Sequence, residues 1–334
     1  MSSASVAYLL VPARLEENPT METTMVKLMS QPQGFPSNSS VMLKSYEAQA
    51  LSWFEHMEFG AGVSLHKRSV ISLNECDAIA FRTSWEMEGK FCDYVKAQFG
   101  KPVLLSGPVI PEPPLSRPED RWEDWLKRFE RGSVVYCSFG SECVLKKEQY
   151  EEVLLGLEMT GRPFLVALRL PEGVKTVEEV MPEGFSGRVG GRGVVHEGWM
   201  QQQLILGHDN VGCFVTHCGS GSISEALVSE CGLVLVPQMG DQYVNARIVG
   251  GEWKVGVEVE RREEDGWFGS ENLFRAVQVV MDGKNKVGKE IRENHKKWRE
   301  YLLKDGLEGS YIDGFIKDLQ DMLEVQNKLD SYPS

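Results

Sequence analysis

HCGSGSISEALVSECG, residues 217–232, follows the apolar run VGCFVT (211–216) and passes from glycines and serines into a helical pattern. An apolar strand, a glycine-serine turn and a helix form the arrangement in which free backbone N–H groups and a helix dipole meet an anion. A second reading needs no ligand. Ser222-x-x-Glu225 has the spacing of a capping box, which would place both side chains at a helix start. Two anion motifs fit poorly. Gly219-x-Gly221 is followed by Ser224 where a dinucleotide fingerprint has its third glycine, although Asp241 lies at the expected distance beyond. The turn also lacks the Gly-Lys-Ser or Gly-Lys-Thr of a phosphate-binding P-loop.

Outward from this turn, short β-branched runs alternate with helical patterns. SVVYCSF (133–139), PFLVAL (163–168), GVVHEG (193–198), VGCFVT and LVLVP (233–237) read as strands. WEDWLKRFE (122–130), KKEQYEEVLLGLEMTG (146–161), WMQQQLILG (199–207), ISEALVSE (223–230) and DQYVNARIV (241–249) read as helices. Such alternation predicts a parallel sheet covered on both faces, with its ligand crevice outside the carboxyl ends of the strands.

Upstream, residues 6–11 within VAYLLVPA read as a buried strand, 12–45 as an irregular connection and 47–72 as helical. DAIAFR (77–82) reads as a strand, 88–99 as a helix and KPVLLSGPV (101–109) as a strand. PVIPEPPLSRPED (108–120) is too rich in proline for a helix or a central strand and is predicted to be a semi-rigid linker. The sequence thus divides into a short first domain (1–107), a linker (108–120), a second domain (121–309) and a tail (310–334). In the tail, Tyr311, Phe315, Leu319 and Leu323 make an amphipathic helix that needs a surface to dock on.

Composition narrows the partners. A net charge of −13 leaves no basic surplus for a nucleic-acid backbone or an anionic membrane, so an anionic ligand needs local donors. The N-terminal apolar run is too short to span a bilayer and lacks the basic flank of a signal peptide. Seven scattered cysteines without a C-x-x-C pair predict reduced thiols in a soluble, cytoplasmic chain. Cys213, His217 and Cys218 lack the second ligand pair of a zinc site, so no metal is expected there.

The longer window WMQQQLILGHDNVGCFVTHCGSGSISEALVSECGLVLVPQMGDQ, 44 residues from Trp199 to Gln242, resembles the signature box of the plant family 1 UDP-sugar-dependent glycosyltransferases. Trp199, Gln202, His208, Gly212, Phe214, His217, Cys218, Gly219, Ser222, Glu225, Pro237, Asp241 and Gln242 fall on its fixed positions. SVVYCSFGS, EEVLLGLEMTGRPFLVALRLP and LSGPVIPEPP are similar to the same family, and to its branch that extends sugars already on glycosides.

The resemblance implies a GT-B fold: two Rossmann-like α/β domains with parallel sheets, the first incomplete here, and a last helix crossing back to the first domain. It implies a donor site in which Trp199 stacks on uracil and Glu225 accepts from the ribose hydroxyls. His217, Ser222, Ser141 and the Gly219 turn would hold the diphosphate, and Asp241 and Gln242 the sugar. Singly, these residues have plainer explanations: Trp199 as a core aromatic, His208 as a helix-end histidine, Asp241 as a cap. The resemblance implies an inverting transfer that uses no cofactor; no Asp-x-Asp occurs, so a metal bridge to the diphosphate is not expected, and the helix N-terminus would stabilise departing UDP. The implied partners are a UDP-sugar and a flavonoid- or anthocyanin-like glycoside.

Two departures stand out. Ser220 and Gly221 occupy positions usually held by Trp and Asn, which removes an aromatic wall beside the donor. The family's base histidine has no match: His56 and His66, in helical surroundings, are the histidines of the first 107 residues. The catalytic base is therefore unassigned. From this follows the expectation of a chain that binds UDP weakly and transfers sugar at a rate near background, with a truncated, non-catalytic UDP-sugar-binding remnant as the alternative to an active transferase.

Overall fold

The runs SVVYCSF, PFLVAL and VGCFVT become adjacent strands at the centre of a parallel sheet, and their near-continuous apolar character follows from burial on both faces. The structure, a computed structural model, describes residues 1–15, 20–58, 60 and 62–330. In chain order its elements are α1 (Ser3–Leu9), α2 (Met21–Leu28), α3 (Ser45–His56), α4 (Leu65–Glu75), β1 (Ile79–Phe81), α5 (Trp85–Phe99) and β2 (Val103–Leu105). After the proline-rich stretch come α6 (Asp120–Leu126), β3 (Val134–Ser138), α7 (Lys147–Met159), β4 (Phe164–Ala167), α8 (Phe185–Val189), β5 (Gly193–His196), α9 (Gln202–Leu206) and β6 (Val211–Thr216). The remainder is α10 (Ser220–Leu227), β7 (Gly232–Leu235), α11 (Gln242–Arg247), β8 (Gly256–Glu258), α12 (Ser270–Met281), α13 (Lys286–Leu302) and α14 (Leu307–Asp330).

β1 and β2 form a two-stranded parallel sheet, and the other six strands a parallel sheet in the order β5-β4-β3-β6-β7-β8. The chain leaves β3 in one direction and returns at β6 to continue in the other. The topological switch point therefore lies between β3 and β6, whose last residues, Ser138 and Thr216, are paired in register. Sheets of this kind bind ligands at that point, beyond the carboxyl ends of the strands.

Three apolar clusters fill the molecule. One packs Phe164, Leu154, Val277 and Phe268 on one face of the large sheet; a second packs Trp122, Trp125, Ile205 and Leu227 on the other. The third joins Tyr8, Phe35, Leu51, Phe81 and Phe91 with Tyr243, Val244 and Ile248, so α11 and the turn after it complete the core of the N-terminal segments. Beside that contact Arg247 Nη2 donates to both oxygens of Glu47 at 2.7 Å, and Glu47 is wholly buried.

Several sequence expectations are corrected. Residues 6–11 are not a strand: Ser3–Leu9 is a helix whose N-cap, Ser2, accepts from the Ser5 N–H. A short apolar run gives the same pattern in a buried strand and a buried helix, and every residue of α1 is buried. The connection 12–45 contains a 3₁₀ turn at Pro12–Arg14 and α2, capped reciprocally by Thr20 and Thr23. Helical residues 47–72 are two helices, α3 and α4, with an isolated Glu58–Ser64 bridge between them. In the tail, the described side chains of α14 dock through its first turns. Tyr311 donates to Glu86 at 2.6 Å and lies against Gly107, where a Cβ would come within 2.9 Å, whereas Leu319 and Leu323 are exposed.

Candidate donor-binding cleft

The switch point opens into a cleft of about 560 Å³. β3 ends at Ser138 and runs into the Gly140–Ser141 loop, β4 delivers Arg169, and the segment before α9 delivers Trp199. Ser222 and Glu225 enter from α10, and Gln202 from the first position of α9. Trp199, Gln202, Ser222, Glu225 and Ser141 therefore line one cavity, although up to 84 residues separate them in sequence.

Trp199 is 78% exposed, which removes the core-aromatic explanation and leaves a ring face open to a ligand. It does not belong to a helix as WMQQQLILG suggested, because α9 starts at Gln202. The capping box also fails. α10 begins at Ser220 with Gly219 as its N-cap, so Ser222 and Glu225 lie inside the helix. Their side chains instead converge on Gln202, whose Nε2 donates to Ser222 Oγ at 3.0 Å and to Glu225 Oε2 at 2.8 Å.

His217 and Gly219 stand behind the cleft wall. The His217 imidazole packs between Gly140 and Gly219: a Cβ on either would approach the ring to 2.9 and 2.5 Å, and Gly140 also has φ +69°. Burial lowers the His217 pKa to about 4, so the ring is neutral at physiological pH. Among the described residues its Nδ1 is buried without a hydrogen-bond partner. Gln242 also bonds within the protein, its Oε1 accepting from the N–H groups of Gln238 and Met239 at 3.0 and 3.1 Å. Asp241 is the N-cap of α11 by position, yet its side chain makes no capping bond. His208 is structural, its Nδ1 accepting from the Asn210 N–H at 3.1 Å.

Asp241 and Gly240 instead line a second cavity, of about 510 Å³, walled by Leu9, Leu28, Leu51, Phe54 and Leu65. His66 lines it too. Its Nε2 meets the Leu9 carbonyl at 2.9 Å, an acceptor, so Nε2 carries the hydrogen, and burial lowers its pKa. His56 lies apart from this cavity, its Nε2 3.1 Å from Thr24 Oγ1.

Sequence reasoning missed Arg169, the one cation among the described lining residues of the cleft. Its Nη1 donates to the Ser141 carbonyl at 2.8 Å, tying β4 to the loop after β3. The signal was present: Arg169 is the first charged residue after a buried parallel strand. No group of three or more His, Cys, Asp or Glu among the described residues is arranged to hold a metal. No described helix is long and apolar enough to cross a membrane.

Residues 92–293 match the family model described as UDP-glucoronosyl and UDP-glucosyl transferase. Over 323 residues the chain is 54% identical to a cyanidin 3-O-galactoside 2''-O-xylosyltransferase of Actinidia chinensis var. chinensis, covering 97% of this chain and 70% of that protein. It is 47% identical over 302 residues to an anthocyanidin 3-O-glucoside 2''-O-glucosyltransferase of Ipomoea nil, covering 90% and 66%. Among solved structures it is similar to a UDP-glucosyltransferase of Polygonum tinctorium capable of glucosylating indoxyl (TM-score 0.64, 27% identity, 74% of this chain and 54% of that one). Phytolacca americana UGT2 with UDP-2fluoro-glucose and pterostilbene superposes with a TM-score of 0.73 at 23% identity, over 93% and 67% of the two chains. The architecture is GT-B, with parallel sheets in an α/β chain.

Proposed function

The chain belongs to the UDP-glucoronosyl and UDP-glucosyl transferase family, and from that premise we propose that it transfers a sugar from a UDP-sugar to a hydroxyl of an anthocyanin-like glycoside. The observation that carries this reading is the convergence of Trp199, Gln202, Ser222, Glu225 and Ser141 on one cleft at the switch point of the large sheet. Uracil stacks on the exposed face of Trp199. The ribose hydroxyls donate to the Glu225 carboxylate, which Gln202 already orients. The diphosphate lies against Ser141, Ser222 and the N-terminus of α10, with Arg169 as the nearby positive charge.

The acceptor occupies the second cavity, whose leucine and phenylalanine walls suit a flat aromatic aglycone and whose Asp241 accepts from sugar hydroxyls. In the transfer the acceptor oxygen bonds to the sugar's anomeric carbon as the bond from that carbon to UDP breaks, with inversion, and the hydroxyl proton passes to solvent water, no residue of the two cavities being assigned as base. The charge that develops on UDP is met by backbone N–H groups and Arg169. The two relatives whose names specify 2''-O transfer to anthocyanin-type 3-O-glycosides support this acceptor class.

Calorimetric titration with UDP, followed by mass spectrometry of products from anthocyanidin 3-O-glycosides and several UDP-sugars, tests the reading. Trp199→Ala is expected to weaken UDP binding by about 1–3 kcal/mol, the range for base–aromatic stacking. UDP affinity indifferent to Trp199→Ala and to Glu225→Ala sinks the donor assignment.

A further inference from the structure

We infer that Asn245, which none of the donor-site roles above includes, is a positioning residue that holds the strained turn between β6 and α10 in its ligand-binding shape. Cys218 sits in this turn with φ +68°, one of two non-glycine residues among those described with a positive φ. That region is costly for a side chain bearing a Cβ and persists where the surroundings enforce it. The enforcement is visible. Asn245 Nδ2 donates to the Cys218 carbonyl at 3.1 Å, and the Cys218 N–H donates to Thr216 Oγ1 at 3.3 Å. Asn245 is 5% exposed and Cys218 fully buried, and Asn245 lines a cavity of about 410 Å³ together with Ser2 and Ser220.

The Cys218 carbonyl belongs to the peptide unit whose N–H is that of Gly219, the N-cap of α10. Fixing that carbonyl fixes the plane of the peptide, and with it the direction in which the turn presents its backbone N–H groups. Asn245 is also one helical turn beyond Asp241, its N–H bonded to the Asp241 carbonyl at 2.9 Å. One buried carboxamide thus ties the turn beside the donor cleft to the helix whose N-cap, Asp241, lines the second cavity. Its Oδ1 accepts from Ser2 Oγ at 3.4 Å, which sets the orientation of the amide.

The test uses the full chain and three variants: Asn245→Ala, Cys218→Gly and the two combined. Glycine takes the left-handed backbone without strain, so the turn of Cys218→Gly no longer needs the amide. Amide hydrogen exchange over residues 217–222, read without ligand, is expected to accelerate about tenfold in Asn245→Ala, the equivalent of one net buried hydrogen bond. In the combined variant it returns to within about threefold of Cys218→Gly alone.

The ligand arm rests on the donor reading above. UDP affinity is expected to fall about tenfold in Asn245→Ala while uridine, which reaches Trp199 and Glu225 without touching the turn, loses less than about twofold. Unchanged exchange in Asn245→Ala, equal losses for UDP and uridine, or no rescue by Cys218→Gly overturns the inference. If the parent chain binds no UDP the donor reading falls, and the exchange comparison still decides the role of Asn245.

Discussion

Gln202 and Glu225 meet at 2.8 Å, carboxamide N–H to carboxylate, across 23 residues of sequence. The first begins α9 and the second lies in α10, so the bond fixes the spacing of two helices at the cleft. It also presents Glu225 as an acceptor whose second oxygen is available to a ligand hydroxyl.

Gln202→Leu is therefore expected to weaken uridine and UDP alike, by about five- to tenfold, the effect of releasing one charge-assisted bond. The melting temperature should move little, because the pair is only partly buried. A loss for UDP without a loss for uridine contradicts the placement of Glu225 at the ribose.

Arg169 acts on the charge of the ligand. Arg169→Met should lower UDP affinity about tenfold, leave uridine unchanged and flatten the dependence of UDP binding on salt. Arg169→Lys should recover part of the affinity through charge alone, the remainder depending on the fork that holds the Ser141 carbonyl. Titrations at two ionic strengths separate these contributions.

Acid should destabilise the chain through its buried imidazoles. His217 titrates near 6.5 when unfolded and near 4 when folded, so the unfolded state binds the extra proton between those values and stability falls as pH drops through that window. The single-group effect is on the order of 2 kcal/mol, allowing for a half-buried ring. His66 and His295 are shifted in the same direction by burial and add to it. Urea unfolding at pH 7 and pH 4.5 measures the slope, and His217→Gln should reduce it.

The Arg247–Glu47 pair predicts a larger loss. Arg247→Met leaves the Glu47 carboxylate wholly buried without its bidentate partner and should cost about 3–5 kcal/mol in urea unfolding. Adding Glu47→Gln should return part of that loss. If the single variant unfolds at the parent's urea concentration, the pair contributes nothing to the contact between α3 and α11.

The alternation of buried runs with helices was legible from Ser133 to Val249 because parallel strands buried on both faces leave long apolar signatures. The identity of α1 was not. VAYLL has no polar residue to mark a helical face, and burial on all sides erases the difference between the two periodicities. Trp199, Gln202, Ser222 and Glu225 could be named from the resemblance of the window that holds them, but their meeting around one carboxamide could not. The bond of Gln202 to Glu225 depends on where α9 starts, which the helical reading of WMQQQLILG set three residues early. Asn245 went unnamed because it acts through a backbone carbonyl, and a carbonyl leaves no letter in the sequence.

The third apolar cluster, in which Tyr243, Val244 and Ile248 pack among Tyr8, Phe35 and Phe91, has a consequence for the integrity of the chain. A protease that cut the exposed proline-rich stretch would not release an autonomous N-terminal fragment, because that fragment's interior is finished by side chains from beyond the cut. The two pieces would stay together, and heat would melt them cooperatively, in one step.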